Sequence, residues 1–281
     1  MNSYPDNPLV MMRHLFSVRF FLLVWLVVVA LSGFATAGTI SIQTKTSVSV
    51  TDDSVSIQVE VTNQGDSQAH DVQVTVVILK EELKSRIVKQ LGVKGTESFR
   101  FSQQIPKNLN GRYPLGIIVD FHDAKQYPFS AISGMTYHIR EDVNSQLIFQ
   151  AQDPVIPYAD DTGEFNINIR NVADVERKIR VKLLIPKELS VSDNPMEIVI
   201  PARGQKDLFF EIRNFSAQAG ASYPLFCYLE YEAEKKHYTT VGNATALIAA
   251  EKNWFRDTRL LWLVIAVLLA GMVVFYQIRK K

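Results

Sequence analysis

The chain has one cysteine, Cys227, in 281 residues, so no disulfide can form within it. Small secreted animal domains often depend on such bridges, and their lack fits a bacterial envelope protein better than an animal ectodomain. Neither sign of charge is in excess: 30 basic against 29 acidic residues leave a formal net charge of +1. That balance gives no electrostatic footprint for nucleic acid, and no such partner is expected. Also missing are Gly-x-Ser-x-Gly, a phosphate-binding P-loop and a Gly-x-Gly-x-x-Gly turn. His70, His122, His138 and His237 fall in no metal-ligating spacing. The sequence therefore predicts no enzyme, no catalytic residue, no cofactor and no metal site. Cys227 lies inside an alternating strand pattern and reads as a small core hydrophobe, not a nucleophile.

Long apolar runs occur twice, one near each end. In the first, Arg13 and Arg19 give a positive start, Phe20 to Leu31 is uninterrupted, and Ala35-Thr36-Ala37 supplies small residues for signal peptidase. Those apolar residues reach only about 18 Å as a helix, short of a ~30 Å hydrocarbon layer. A cleaved signal peptide over 1–37 is predicted. The stretch before Met11 is polar with two prolines, so translation is expected to start at Met11 or Met12.

The second run, Leu260 to Tyr276, carries no charge and predicts a single membrane span over 260–278. Trp254, Phe255 and Trp262 flank one end and Tyr276 the other, as interfacial aromatics do. Residues 251–259 form a juxtamembrane segment and 279–281 a cytoplasmic tail. Lys252, Arg256 and Arg259 nearly balance Arg279, Lys280 and Lys281, so the span's own flanks do not set its orientation. The export signal does, and it places Gly38 onward on the extracytoplasmic side of the cytoplasmic membrane, facing periplasm or cell surface. Ala266 and Ala270, four apart, would let two helices approach closely and are the sequence's hint of a homo-oligomer.

Between the runs the chain writes one unit twice. "VSIQVEVTN" follows Thr51-Asp52-Asp53-Ser54, and "EFNINIRN" follows Asp160-Asp161-Thr162-Gly163. Val55, Ile57, Val59 and Val61 alternate with polar residues, as do Phe165, Ile167 and Ile169; this is the period of a half-buried strand. "HDVQVTVVIL" and "RKIRVKLLIP" come next, then a turn with glycine at Leu91 to Gly95 and at Ile200 to Gly204. "GRYPLGIIVDF" and "ASYPLFCYLEY" follow, and a last strand closes each copy. Strands, turns and repeat length predict an all-β chain of two tandem immunoglobulin-like β-sandwiches, over 38–143 and 144–250. Proline after each tyrosine belongs at a strand's start, where no amide hydrogen is needed. "KEELKSRIVKQL" has helical spacing; it is read instead as a loop over Lys80 to Lys84 and a short strand over Arg86 to Leu91.

Asp153, Asp160, Asp161 and Glu164 gather near the joint, and oxygen ligands of this kind suit calcium. Asp52-Asp53 occupies the same turn in the first copy, and aspartate is a common turn former, so the structural role is favoured. The sequons at Asn214 and Asn243 are short enough to arise by chance.

"VSIQVEVTNQGDSQAHDVQVTVVI", then "LGVKG" and "GRYPLGIIVD", resembles the bacterial immunoglobulin-like repeats of CARDB and NEW3 type. The likeness covers Val55 to about Asp123, and more faintly Phe165 to Glu232, where Asn171-Val172-Ala173 replaces Asn63-Gln64-Gly65. The resemblance implies a β-sandwich used as a spacer or binding module on exported proteins, with no catalytic residues. The expectation is a non-catalytic, membrane-anchored binding or spacer protein whose partner is an unidentified protein or polysaccharide. The alternative is an accessory or assembly subunit of an integral membrane complex.

Overall fold

Period-two alternation becomes strand throughout both copies. The computed structural model describes residues 38–158 and 162–250, with Thr258, Trp262, Ile265 and Arg279 beyond them. The first copy holds β1 (Ile42–Val50), β2 (Ser54–Asn63), β3 (Ala69–Ile78), β4 (Glu81–Lys84), β5 (Val88–Leu91), β6 (Thr96–Gln104), β7 (Gly111–His122) and β8 (Pro128–Ile139). The second holds β9 (Leu147–Ala151), β10 (Val155–Ile156), β11 (Thr162–Asn171), β12 (Arg177–Leu184), β13 (Leu189–Val191), β14 (Met196–Ile200), β15 (Gln205–Asn214), β16 (Ser222–Ala233) and β17 (Lys236–Ile248).

In the first copy the sheet β1-β2-β6 faces β3, β7 and β8, with β4 and β5 at the edge of β3. Val55, Ile57 and Val59 from one side meet Val74, Leu115 and Ile117 from the other, all at most 1% exposed. In the second, β13-β15-β11-β9 faces β14-β12-β16-β17, and Phe165, Ile167, Val181, Leu225 and Cys227 fill the gap. Two sheets around an apolar core, with antiparallel ladders, make each copy an immunoglobulin-like sandwich. β10 pairs in parallel with the end of β17, Val155 opposite Leu247 and Ile156 opposite Ile248.

The repeated Tyr-Pro-Leu has a structural answer. Tyr113 sends its hydroxyl back to Asn110, 3.2 Å from both the amide nitrogen and the carbonyl oxygen. Tyr223 accepts from the Gln218 amide at 3.1 Å. Each is a tyrosine corner at the start of the strand that immunoglobulin folds call F. The ladder from β3 stops at Ile78 opposite Leu115, and that from β12 at Leu184 opposite Phe226. Pro114 and Pro224 lie past those ladders but within the ones to β8 and β17, opposite Thr136 and Thr245, so it is toward β3 and β12 that their missing amide hydrogen costs no bond.

The recurring Asn-x-Gly works through its asparagine. Asn63 and Asn171 are both 0% exposed. The Asn63 side-chain amide donates to Ser67 O at 2.7 Å, and its oxygen accepts from Gly65 N at 3.0 Å. Asn171 does the same with Val175 O at 2.8 Å and Ala173 N at 3.0 Å, and adds Pro201 O at 3.0 Å. Each stitches the end of its strand to the turn that follows and to the turn before its sheet neighbour, β6 for Asn63 and β15 for Asn171. Only a backbone amide is asked of the third residue, so alanine serves in the second copy where glycine stands in the first.

Lys80 to Lys84 is not a loop. β4 pairs with β3 from Ile78–Glu81 to Thr75–Lys84 across the two-residue turn Leu79-Lys80. Both turn residues have positive φ, 48° and 71°, as a type I′ hairpin requires. Asn-Gly is the usual sequence for that turn, and Leu-Lys hid it. The strand expected from Arg86 begins at Val88.

Among the described residues no helix is long and apolar enough to cross a membrane. The signal peptide expected over 1–37 lies outside them, as do the expected juxtamembrane segment except Thr258, the expected span over 260–278 except Trp262 and Ile265, and the expected tail except Arg279.

Asn63→Ala and Asn171→Ala are each expected to cost about 1–3 kcal/mol of unfolding free energy, because buried backbone groups lose their partners. Gly65→Ala, which copies the second repeat, is expected to stay within about 0.5 kcal/mol. Urea denaturation of the three variants checks the contrast.

Candidate binding groove

Between the cores, β7 and β16 turn a second apolar face outward. Gly116 and Ile118 alternate with core residues on β7, and Phe226 and Tyr228 do so on β16. These faces meet. Ile118 and Ile132 of the first sandwich pack with Leu184, Phe226, Tyr228 and Val241 of the second. The Tyr228 hydroxyl crosses the joint to donate to Leu115 O at 2.7 Å, and burial pushes its pKa up. Gly134 lets the layers close: a Cβ there would stand 2.6 Å from the Phe226 ring.

Polar bonds fix the register. Glu188, 2% exposed, accepts from the Ser130 amide at 2.7 Å and from its hydroxyl at 2.6 Å. Thr239 donates to Arg112 O at 2.8 Å. The His237 amide donates to Asn110 O at 2.8 Å, and its ring stacks on Tyr113 with centroids 4.5 Å apart. Gly111, at φ 114°, lies against the His237 backbone, where any Cβ would collide. Lys236 bonds Glu141 at 2.5 Å and Arg112 bonds Asp142 at 2.5 Å, so the linker itself is tied to both sandwiches. The sandwiches lie side by side, and one parallel bridge, His237 opposite Gly111, joins β17 to β7 and makes β14-β12-β16-β17-β7-β3-β4 one continuous sheet.

Where the two faces diverge they leave an open groove of about 780 Å³. One wall is mainly apolar and comes from the first sandwich: Val77, Leu79, Leu109, Pro114 and Ile118, with Lys80 and Glu82 beside them. The other is the outward row of β12, Lys178, Arg180 and Lys182, standing at every second residue. Lys178 bridges Glu197 at 2.7 Å, and Arg180 pairs across the strands with Glu197 and Glu230. Lys182 has no carboxylate partner among the described residues. His237 sits at the inner end with Nε2 3.1 Å from Glu230. A mainly apolar wall opposite cations interleaved with Glu197, Glu230 and Glu232 suits an extended chain with apolar groups on one side and polar groups on the other.

Of the residues weighed for chemistry, the fold brings one histidine pair together. His70 and His122 face each other across β3 and β7, while His138 pairs opposite Arg112 and His237 joins the groove. Asp153 accepts the Thr245 amide at 2.7 Å, a structural use; Asp160 and Asp161 lie outside the described residues. Among the described residues no three His, Cys, Asp or Glu are grouped to hold a metal ion. Cys227 is 1% exposed, and desolvation pushes its thiol pKa up, away from reactivity.

Sequence reasoning missed the groove. The signal was present as the unbroken apolar runs Leu115 to Val119 and Leu225 to Leu229, which mark strands buried on both faces.

Residues 39–126 match the CARDB family model. The CARDB match ends before β8 and leaves the second sandwich outside it. No curated protein matches the chain. Among solved structures, Escherichia coli alpha-2-macroglobulin, from domain MG7 to its C-terminus, is 16% identical over 38% of this chain and 17% of its own, with a TM-score of 0.33. The native form of the same protein is 11% identical over 75% of this chain and 17% of its own, with a TM-score of 0.32. A protein of unknown function from Porphyromonas gingivalis W83 is 12% identical over 75% of this chain and 99% of its own, with a TM-score of 0.31. The chain thus spans about a sixth of the alpha-2-macroglobulin it resembles.

Two tests follow from the joint. Gly134→Ala is expected to cost about 1–3 kcal/mol by overpacking against Phe226, read as a lowered melting temperature. Hydrogen bonds from Lys236 and Arg112 hold the Glu141 and Asp142 carboxyls below the usual range. Depressed carboxylates add stability above their unfolded pKa and lose it as pH falls through the folded one. Melting temperature is therefore expected to drop below about pH 4. Glu141→Gln should blunt that drop, modestly, since both groups are exposed.

Proposed function

We propose that the chain is a membrane-anchored, extracytoplasmic, non-catalytic binding protein of the bacterial envelope. In this reading a signal peptide over 1–37 exports it, tandem sandwiches form its outer part, and a helix over 260–278 holds it. The groove shared by the two sandwiches is its binding site, and the observation that carries the reading is how that groove is built. Neither sandwich makes it alone, and the Glu188, Tyr228 and His237 contacts hold its walls in fixed register. A preformed cleft loses little ordering entropy when a partner enters it.

Binding is favoured over spacing by the same contacts. A spacer gains reach by setting domains end to end, whereas these lie side by side. The partner is a protein or polysaccharide segment laid along β12, its acceptors toward Lys182 and Arg180.

A photo-crosslinking residue at position 182, on the groove wall, tests this in intact cells. An adduct is expected there and not from position 170, an exposed site on the opposite sheet of the second sandwich. Equal adducts from both, or none from 182, would overturn the groove as the site. Protease added outside spheroplasts is expected to remove the sandwiches, and their survival would overturn the topology.

A further inference from the structure

The exposed aromatic side chains are unevenly spread. Apart from Trp262, four large aromatics are exposed among the described residues: Tyr127, Tyr158, Phe209 and Phe215. Three stand at one end of the molecule, joined by hydrogen bonds. The Tyr127 hydroxyl, on the β7–β8 turn, donates to Ser216 O at 2.6 Å. Asn214, beside Phe215, donates to Tyr158 O at 2.8 Å. Val155 and Leu247, also exposed, pair across β10 and β17 at the same end. Phe215 is 79% exposed, the most open large hydrophobic side chain of the described residues.

This is also the end from which the chain departs. The Gly220 amide bonds Ile248 O at 3.0 Å, so the turn carrying Phe215 sits beside the last residue of β17. Nine residues, 251–259, separate Ala250 from the apolar run at Leu260. Fully extended they reach about 30–34 Å, and as a helix about 14 Å. The tip therefore cannot stand far from whatever surface receives that run.

We propose that this end of the paired sandwiches rests on the bilayer, with Phe215, Tyr158 and Tyr127 inserted at the headgroup level. The proposal rests on the membrane-anchor reading above and adds a second, peripheral contact to it. Single aromatics on turns suit lipid, which closes around separate side chains; a protein partner would need a continuous complementary face. Among the described residues, the carboxylates on these turns are held by backbone amides. Asp123 accepts the Lys125 and Tyr127 amides at 2.8 and 2.9 Å, and Asp153 accepts the Thr245 amide. Lys125 shares the turn with Asp123, so both signs of charge are present and a zwitterionic phosphatidylcholine surface is the ligand. Resting on three turns from two sandwiches, the molecule would hold its groove at a fixed height and tilt above the membrane.

The test uses the full chain in phosphatidylcholine nanodiscs. Cys227 is buried, so an introduced cysteine is the accessible thiol for an environment-sensitive fluorophore. Phe215→Cys is expected to give blue-shifted emission quenched by brominated lipid, while Phe209→Cys on the outer sheet face stays water-exposed and unquenched. Leu268→Cys reports the anchor. Quenching at 268 with an aqueous signal at 215 overturns the tip contact and leaves the anchor standing; aqueous signals at both remove the two together. A signal at 215 that is shielded from water yet unquenched by brominated lipid means protein covers the tip, and also overturns the proposal. Because Phe215 is exposed, Phe215→Ser should leave the melting temperature unchanged and lower bilayer protection of a label at Tyr158→Cys.

Discussion

The structure depends on one constraint: the β3-β7-β8 and β12-β16-β17 halves of one sheet each present apolar residues on both faces. A sandwich needs only its inner face to be apolar. β7 and β16 carry a second set outward, and that set is buried only because the other sandwich covers it. Ile118, Ile132, Phe226 and Tyr228 make a small cluster, far smaller than either core. It nevertheless decides how the halves sit, because Tyr228 must reach Leu115 O and Glu188 must reach Ser130 before the faces can close. A buried carboxylate without those donors would be strongly disfavoured, so the arrangement is selective as well as adhesive.

The groove follows from that packing without further design. Two twisted halves of a sheet packed face to face touch along a limited strip and diverge beside it. On one side the divergence exposes the β3–β4 hairpin and the tyrosine-corner end of the first sandwich; on the other it exposes β12. Cations at alternate positions of β12 line the opposite wall, and the Lys178 side chain stays 70% exposed there. A binding site made this way inherits its rigidity from the joint.

How much of this could be read in the sequence differs element by element. The cores were legible, because Val55, Ile57, Val59 and their counterparts obey a strict period. The Tyr-Pro-Leu repeat was legible as a structural device, since chemistry would have no reason to recur at one point of both copies. The Asn-x-Gly motif was legible only in part. Its glycine draws the eye, but the buried asparagine holds the turn, and that shows only once the bonds to Ser67 and Val175 are seen. The β3–β4 hairpin was hidden, because Leu79 and Lys80 occupy a turn whose backbone favours Asn-Gly, and because Leu83, Ile87 and Leu91 mimic a helical stripe. The joint was visible as two unbroken apolar runs, yet such runs say that a face is covered and not what covers it.

The exposed end raises the same difficulty in a sharper form. Phe215, Tyr158 and Tyr127 come from three turns separated by many residues, and nothing in the chain's periodicity brings them together. Proximity there is made by side-by-side packing: the Tyr127 hydroxyl meets Ser216 only because the first sandwich's last hairpin lies against the second sandwich's turn. An end-to-end tandem would have scattered these aromatics over two distant poles. The packing that creates the groove therefore also gathers the apolar tip. Both features stand or fall with the contact between Gly134 and Phe226, where the layers come closest.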